Sequence, residues 1–317
     1  MRSKDPIQID ERIHLIDGFD LGVPQRTGTY VINEEELTLV ETGPSPSIKH
    51  VKQGMKDLGF SLDQVKYIIL THIHLDHAGG AGLFIRDCPN AKIVVHPKGA
   101  RHLADPKRLI AGAQAVYGDS FQELFDPVIP VPEDRIIIRG EGDTLQISPT
   151  CTLEFFDTPG HAKHHFSIYD PVSDGIFTGD TVGIRYEQLI PDGVDLFLPS
   201  TSPNQFDPEA MRQAISRIRQ MNVDRIYYGH FGMTEKVEEA LKQVTEWLDV
   251  FEQEAEDTFK AGKGYDELAG RLLQQVKEYL RTLLIDDDHG VYVLINMDMQ
   301  VSALGLIDYL QKKYKKD

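Results

Sequence analysis

Short apolar runs separated by polar turns occupy much of the first 232 residues and predict β-strands. The runs TGTYVI (27–32) and LTLVETG (37–43) flank the polar turn NEEE and predict a β-hairpin. The runs VKYIILT (65–71) and AKIVVH (91–96) are nearly continuous, as is typical of strands buried on both faces. Residues 135–180 predict a series of further strands. These patterns indicate a protein with at least one sizeable sheet.

Helical patterns lie between and after these runs. Residues 105–118 and 207–221 each begin with Asp-Pro, which suits an N-cap followed by the first helical position. After residue 233, apolar residues recur every three or four positions in three stripes. The stripes are Val237, Leu241, Val244, Leu248 and Phe251, then Leu268, Leu272, Val276, Tyr279 and Leu283, and finally Val301, Leu304, Ile307 and Leu310. We therefore predict a domain over residues 1–232 and a helical extension over residues 233–317, with a layered α/β sandwich favoured over a doubly wound sheet.

Composition narrows the range of partners and compartments. The 317 residues include 33 Lys and Arg against 50 Asp and Glu, and the formal net charge of −17 argues against binding to nucleic acid. The only two cysteines, Cys88 and Cys151, are far apart in the sequence and indicate a reducing compartment. The N-terminal segment lacks an apolar signal region, and no apolar run approaches 18 residues. We expect a cytoplasmic protein without a membrane segment.

The stretch THIHLDH (71–77) concentrates metal-ligating side chains at the end of a predicted strand. His72, His74 and Asp76 share one parity along an extended chain, so their side chains are expected to point the same way. His77 breaks that parity and joins them only if a helix starts near Asp76–Gly80. Imidazole nitrogens and carboxylate oxygens are suitable ligands for zinc, iron or manganese. The sequence therefore predicts a metal site here.

THIHLDH resembles the H-x-H-x-D-H signature of the metallo-β-lactamase-fold superfamily, and later segments resemble its other motifs in order. These segments are DTPGHAKHH (157–165), IFTGD (176–180), IYYGH (226–230) and, earlier in the chain, LVETG (39–43), with Glu41 where an aspartate is common. The resemblance extends over residues 7–232. It implies an α/β fold, specifically a four-layer αββα sandwich with the metal site at one edge of its two sheets. The helical C-terminal extension is similar to that of glyoxalase II-like hydrolases.

The resemblance also implies a ligand set for two divalent metal ions, zinc foremost, with iron or manganese as alternatives. One metal would take His72, His74 and His161, the other Asp76, His77 and His230, and Asp180 would bridge them. The carboxylates Asp76 and Asp180 would have catalytic roles. A hydroxide between the metals would be the nucleophile, so no serine or cysteine nucleophile is needed.

Asp180 bears on the substrate class, because β-lactamases themselves generally lack the bridging aspartate. Relatives that have it include glyoxalase II-like thioesterases, acyl-homoserine lactonases, sulfur dioxygenases, flavodiiron oxidoreductases and nucleases, and a shared fold cannot choose among them. We predict a hydrolase that cleaves an ester, thioester or lactone in a small molecule. A phosphodiesterase or nuclease, an iron-dependent oxidoreductase of the sulfur dioxygenase type, and a non-catalytic metal-binding protein stay open.

The irregular segment 181–206 follows Asp180 directly and predicts a loop that covers the substrate. Arg185 and Tyr186 are its candidate substrate contacts, with packing or an interface role as the alternative. A homodimer formed through this loop or through the C-terminal helices also stays open. Of the remaining histidines near the motifs, His165 is expected to support ligands rather than bind metal, and His164 is expected to be a loop residue.

Overall fold

The computed structural model describes residues 5–315, which divide into two compact units. Among the described residues, the first unit comprises residues 5–157, 164–179 and 223–235. The second comprises residues 158–163, 180–222 and 236–315. The boundary expected between residues 232 and 233 stays a prediction. The expected absence of a signal region rests partly on residues 1–4, which lie outside the described residues.

The strands and helices have the following bounds. In chain order the strands are β1 (Ile7–Gln8), β2 (Ile13–Asp17), β3 (Gly28–Ile32), β4 (Thr38–Val40), β5 (Tyr67–Ile69), β6 (Lys92–Val95), β7 (Ile136–Ile138), β8 (Thr144–Ser148), β9 (Cys151–Asp157), β10 (Phe166–Asp170), β11 (Gly175–Phe177), β12 (Ile184–Arg185), β13 (Phe197–Leu198), β14 (Arg225–Tyr227) and β15 (Met233–Thr234). The α-helices are α1 (Ile48–Asp57), α2 (Leu75–Ala78), α3 (Ala81–Phe84), α4 (Pro97–Ala104), α5 (Lys107–Tyr117), α6 (Phe121–Phe125), α7 (Pro208–Met221), α8 (Val237–Lys260), α9 (Tyr265–Thr282) and α10 (Val291–Tyr314).

The first unit contains two sheets. The seven-stranded sheet has the order β1-β2-β3-β4-β5-β6-β7 and changes from antiparallel to parallel pairing at β4. The six-stranded sheet has the order β15-β14-β11-β10-β9-β8 and is antiparallel except where β11 pairs with β14. The predicted hairpin of β3 and β4 and the strands predicted over residues 135–180 are all present.

Apolar side chains fill both faces of the parallel strands. On one face, Val40 and Ile69 pack with Phe166 and Phe177 of the six-stranded sheet. On the opposite face, other residues of the same strands pack against helices α1 and α3. Because β5 and β6 are covered on both sides, their sequences read as continuous apolar runs rather than as alternating patterns.

Parallel pairing brings the carboxyl ends of β4, β5 and β6 to one edge of the seven-stranded sheet. Glu41 follows β4 there, the THIHLDH stretch follows β5, and His96 follows β6. Segments beyond the carboxyl ends of parallel strands are where α/β proteins commonly place ligand-binding side chains. The topology alone therefore brings Glu41, the THIHLDH stretch and His96 to the same edge of the seven-stranded sheet.

The second unit contains a two-stranded ladder, β12 with β13, and helices α7 to α10. Four residues of the predicted stripe of α8, Leu241, Val244, Leu248 and Phe251, are inaccessible to solvent, and the first, Val237, is partly buried. Helix α10 is long and apolar enough to cross a membrane by length and composition, with a mean hydropathy of 1.2 in its most apolar window. The expectation of a protein without a membrane segment stays a prediction. However, 61% of that window is buried within the protein, as is common for a core helix.

Candidate metal centre

The THIHLDH stretch begins in an irregular segment and ends in a helix. Strand β5 ends at Ile69, so His72 and His74 lie after the strand rather than within its alternating pattern. His74 has extended backbone angles and is the N-cap of α2, which starts at Leu75. The helical turn carries Asp76 and His77. Such a turn is what His77, which breaks the alternation of His72, His74 and Asp76, needs in order to lie beside them.

Imidazole rings pack closely in this part of the first unit. The ring of His72 lies 4.7 Å from that of His74 and 4.3 Å from that of His77, measured between centroids. The ring of His230, which follows β14, lies 5.3 Å from that of His77. His72, His77 and His230 are buried. Several basic rings buried together are costly unless a common partner uses their nitrogens, because buried polar groups need bonding partners.

A chain of hydrogen bonds fixes the tautomer of His72. The Thr71 hydroxyl donates to Oε1 of Glu41, a short contact, and the Thr71 backbone N–H donates to the same oxygen at 3.1 Å. Since the hydroxyl hydrogen is used in this way, Nδ1 of His72, 3.1 Å from Thr71 Oγ1, is the donor in their contact. The neutral ring therefore carries its lone pair on Nε2, which is the arrangement a metal ligand needs.

Asp76, His77 and His230 form a compact set of donors. Oδ2 of Asp76 lies 3.5 Å from Nε2 of His77 and 3.8 Å from Nε2 of His230. One ligand atom from each residue lies within 4.8 Å of the others, and the same holds for a set made by Glu41, His72 and His77. Nitrogen and oxygen donors at this spacing suit a divalent transition metal. The residues of the first unit thus fit a metal ion.

Asp20 is a buried carboxylate near this set that the sequence did not reveal. Its side chain is ion-paired with Arg26, at 3.2 Å between Oδ2 and Nε. Burial raises the pKa of Asp20 above its usual value, Arg26 opposes that shift, and the nearby Asp76 carboxylate adds to it. His230 and His77 lower the same pKa, so Asp20 is electrostatically coupled to the donors.

His161 and Asp180 are together in the second unit. Nε2 of His161 lies 3.7 Å from Oδ2 of Asp180, and both residues are buried. Asp180 follows the turn at Gly179, whose φ of 49° is in the left-handed region. Two buried lone-pair donors that approach each other in this way suit a cation, which attracts both. These two residues therefore fit the same kind of ion as the set in the first unit.

Arg185 and Tyr186 have partners within the second unit. The Arg185 guanidinium is ion-paired with Glu187 and donates from Nε to Oδ1 of Asp195 at 2.8 Å. The Tyr186 hydroxyl donates to Oδ2 of Asp298 at 2.8 Å, and both of these residues are buried. Arg185 belongs to the β12–β13 ladder. These contacts support the packing alternative, and substrate contact by either residue stays a prediction.

His164 and His165 lie closer to the candidate ligands His72 and His74 than their sequence context suggested. Both are buried, and their rings lie 5.4 Å from His74 and 5.1 Å from His72, respectively. A side chain on Gly179 would come within 2.4 Å of Nε2 of His165, so His165 packs directly against the turn before Asp180. Its position matches the expected supporting role.

The fold and the cluster of candidate ligands agree with a comparison of the sequence with models of protein families. A family model described as the metallo-beta-lactamase superfamily matches residues 22–230. This span covers well over half of the chain, and the protein therefore belongs to the metallo-beta-lactamase superfamily.

Individual relatives and structures are consistent with this membership. The metallo-beta-lactamase fold-containing protein ST1585 of Sulfurisphaera tokodaii is 28% identical over 238 residues, which cover 73% of this chain and 84% of that protein. The crystal structure of the metallo-beta-lactamase family protein TTHA1429 from Thermus thermophilus is 18% identical and covers 97% of this chain and 95% of its own, with a TM-score of 0.68. The predicted fold class, the αββα metallo-β-lactamase fold with C-terminal helices, is confirmed.

Two further relatives have names that state an activity. The atrochrysone carboxyl ACP thioesterase of Aspergillus fumigatus is 24% identical over 221 residues, which cover 69% of this chain and 55% of that enzyme. An N-acyl homoserine lactonase of Bacillus thuringiensis is 25% identical over 220 residues, 67% of this chain and 74% of that enzyme.

Proposed function

We propose that this protein is a dinuclear metal-dependent hydrolase that cleaves an ester, a thioester or a lactone in a small molecule. The observation that carries the proposal is the convergence of buried lone-pair donors in both units. Asp76, His77 and His230 converge in the first unit, and His161 and Asp180 approach each other in the second. The similarity to a thioesterase and to a lactonase supports the class of bond.

The family motifs provide the assignment of ligands within this proposal. His72, His74 and His161 would hold one cation, Asp76, His77 and His230 would hold the other, and Asp180 would be a ligand of both. Three protein ligands and a shared carboxylate would leave an open position on each cation, which a catalytic site requires and a structural site does not. We propose zinc as the cation, and iron or manganese would accept the same donors.

When bound, two such cations supply a water of lowered pKa and polarise the carbonyl of the substrate. The residues of the chain provide the rest. Glu41 and Thr71 hold His72 in the tautomer with its lone pair on Nε2. Asp76 is 21% exposed at its side chain, whereas His77 and Asp180 are nearly inaccessible. We therefore assign to the Asp76 carboxylate the transfer of a proton to the departing alcohol or thiol.

The proposal extends to partners and compartment. The net charge of −17 supports a small-molecule substrate over nucleic acid. Cys88 and Cys151 are buried free thiols, and burial raises the pKa of each to about 12, which makes them unreactive. These thiols support a cytoplasmic location, and the absence of a membrane attachment stays a prediction. A homodimer stays a prediction.

Elemental analysis of natively purified protein, joined to a substrate panel, tests the proposed function. The panel comprises p-nitrophenyl esters, lactones, thioesters and bis-p-nitrophenyl phosphate. We expect about two metal equivalents per chain and turnover of at least one carbonyl substrate. Cleavage of the phosphodiester alone would instead indicate a nuclease. One iron per chain with oxygen uptake on persulfides would indicate a dioxygenase.

The variant Asp180→Asn tests whether turnover depends on the proposed bridging carboxylate. Loss of the bridging carboxylate should lower turnover by more than the roughly 10–100-fold typical of residues that only support ligands. Asp266→Asn, on the exposed face of α9, is the control and should leave turnover unchanged. Full activity of a metal-free preparation, or of Asp180→Asn, would refute the dinuclear mechanism.

A further inference from the structure

Ser200 contacts both predicted ligands of the second unit. It lies two residues after β13, in a short segment that continues through Thr201 and Ser202. Nδ1 of His161 lies 2.9 Å from the backbone oxygen of Ser200. The hydroxyl of Ser200 donates to Oδ2 of Asp180 at 3.1 Å. One residue thus reaches an imidazole with its main chain and a carboxylate with its side chain.

The contact with His161 determines which nitrogen of the ring is available to a metal. A carbonyl oxygen only accepts hydrogen bonds, so Nδ1 of His161 is the donor. The neutral ring then carries its lone pair on Nε2, the atom that faces Asp180 at 3.7 Å. The contact with Asp180 restrains the rotation of a carboxylate whose orientation decides how its oxygens meet a cation.

Helix α10 fixes the position of this segment. The Thr201 hydroxyl donates to the backbone oxygen of Ser302 at 2.9 Å. Gly305, one turn further along α10, lies against the segment so closely that a Cβ there would be 2.1 Å from the oxygen of Thr201 and 2.7 Å from the carbonyl carbon of Ser202. Only glycine permits this approach without displacing the backbone. The segment is therefore fitted against the helix at two points.

We propose that Ser200 is a positioning residue for the metal centre. We also propose that α10 holds Ser200 in place through its contacts with Thr201 and Ser202. This inference rests on the proposed function for the identity of the ligands. It assigns a role in metal binding to a helix of the C-terminal extension, which lies outside the family match that ends at residue 230.

Metal affinity, measured by chelator competition, tests the role of the Ser200 side chain. Ser200→Ala removes the hydrogen bond to Asp180 and should weaken zinc binding by about 10–100-fold, as loss of a supporting partner typically does. Ser200→Thr keeps the hydroxyl and should restore most of the affinity. Ser216→Ala, on the exposed face of α7, is the control and should bind zinc as the wild type does. If Ser200 contributed only to folding, Ser200→Ala would lower the free energy of unfolding of the metal-free protein and leave its zinc affinity unchanged.

Two variants test whether the contacts with α10 position Ser200. Gly305→Ala displaces the Thr201 carbonyl, and Thr201→Val removes the hydrogen bond to Ser302 while keeping the shape of the side chain. Both variants should lower the affinity for zinc, as Ser200→Ala should. If Gly305→Ala does not fold, Thr201→Val decides the question, because it introduces no clash.

The outcomes separate this inference from the proposed function. Wild-type zinc affinity in Ser200→Ala and Thr201→Val would overturn the inference, whatever the enzyme hydrolyses. Zinc binding by the wild type without turnover of any carbonyl substrate would overturn the proposed function, and the affinities of the variants would still decide the inference. Wild-type protein that binds no divalent cation would overturn both.

Discussion

Glu41 is a single strained residue that contacts several side chains of the candidate metal centre. Its φ of 68° places it in the left-handed region, which residues other than glycine adopt at a cost of roughly 1 kcal/mol. The buried carboxylate accepts two hydrogen bonds from Thr71, and its Oε2 lies 3.8 Å from Nδ1 of His77. Through Thr71 it also determines the tautomer of His72. Backbone strain of this kind persists where the surrounding contacts require it.

Glu41→Gln should weaken metal binding although the side chain keeps its shape. The amide oxygen can still accept both hydrogen bonds from Thr71, but the amide lacks the negative charge beside His77, and its NH₂ group would replace the carboxylate oxygen that faces Nδ1 of His77. We expect zinc affinity to fall by about 10–100-fold in chelator competition. Glu36→Gln, a partly exposed residue paired with Lys66, is the control and should behave as the wild type. Equal affinity in both variants would show that Glu41 has no part in positioning ligands.

His96 supplies a prediction about pH. Its Nδ1 accepts a hydrogen bond from the Lys98 N–H, and its Nε2 lies 3.2 Å from Oδ1 of Asp157. Burial lowers the pKa of His96 below its usual value, although Asp157 opposes this shift. The unfolded chain therefore binds this proton more readily than the native state. Below a pH of about 6.5, protonation consequently favours unfolding, and the stability due to neutral His96 is lost as the pH falls towards the native pKa.

His96→Asn removes the titrating ring and keeps an acceptor for the first turn of α4. We expect the wild type to lose stability relative to this variant between pH 7 and pH 5, in urea unfolding with a chelator present throughout. A stability difference that stays constant, or that changes in favour of the wild type at low pH, would contradict the direction given for the pKa.

The sequence identified candidate ligands more readily than the residues that position them. His72 and His230 stand in motifs whose spacing is visible in the chain. Ser200 and Asp20 have no motif, because their roles depend on contacts with residues distant in sequence. Glu41 lies in the LVETG motif, but the hydrogen bonds that it accepts from Thr71 depend on the fold.

At the scale of elements, periodicity predicted helices better than it predicted their ends or buried faces. The pattern over residues 105–118 corresponds to α5, which begins at Lys107, and α4 before it was not predicted. In α10 the predicted stripe included Val301 and Leu304, which are only partly buried, while Met299 and Leu306 are fully buried. A helix that is apolar on most sides has no single stripe for a periodicity argument to find.

The end of α9 carries a leucine where glycine is usually found. The N–H of Ile285 donates to the Leu280 oxygen and that of Leu284 to the Arg281 oxygen, the two bonds of a Schellman motif. Leu284 occupies the left-handed position of this motif, with a φ of 64°, and its side chain is 90% exposed. The backbone cost of this leucine is therefore not offset by burial.

Leu284→Gly should stabilise the protein by about 0.5–1 kcal/mol, because glycine adopts the left-handed conformation without strain. The matched control is Leu283→Gly, at a neighbouring position whose φ of −98° suits any residue. Glycine there only increases the entropy of the unfolded chain and should destabilise. Urea unfolding of the two variants measures both changes, and destabilisation of similar size in both would refute the assignment of strain to Leu284.

At the scale of the whole molecule, family motifs spread from residue 39 to residue 230 gave the fold class and the candidate ligands. Their order along the chain sufficed, because the superfamily places each motif after a particular strand. The division into two units could not be read from the same motifs. Residues 158–163 and 180–222 belong with the C-terminal helices, although they lie between strands of the first unit in sequence. This grouping depends on contacts such as that between Thr201 and Ser302, which no local pattern encodes.

Metal removal should lower the stability of the whole protein, because the proposed cations bind donors that only the native state brings together. A cation present at 100 times its dissociation constant stabilises the native state by about 2.7 kcal/mol. For a chain of this size, chelation should then lower the melting temperature by at least about 4 °C. Calorimetry with and without dipicolinate measures the shift, and restored zinc should reverse it. The Asp180→Asn variant should show a smaller shift, because it lacks the bridging carboxylate. An identical melting temperature for the wild type with and without chelator would mean that the buried histidines and carboxylates are stable together without a metal.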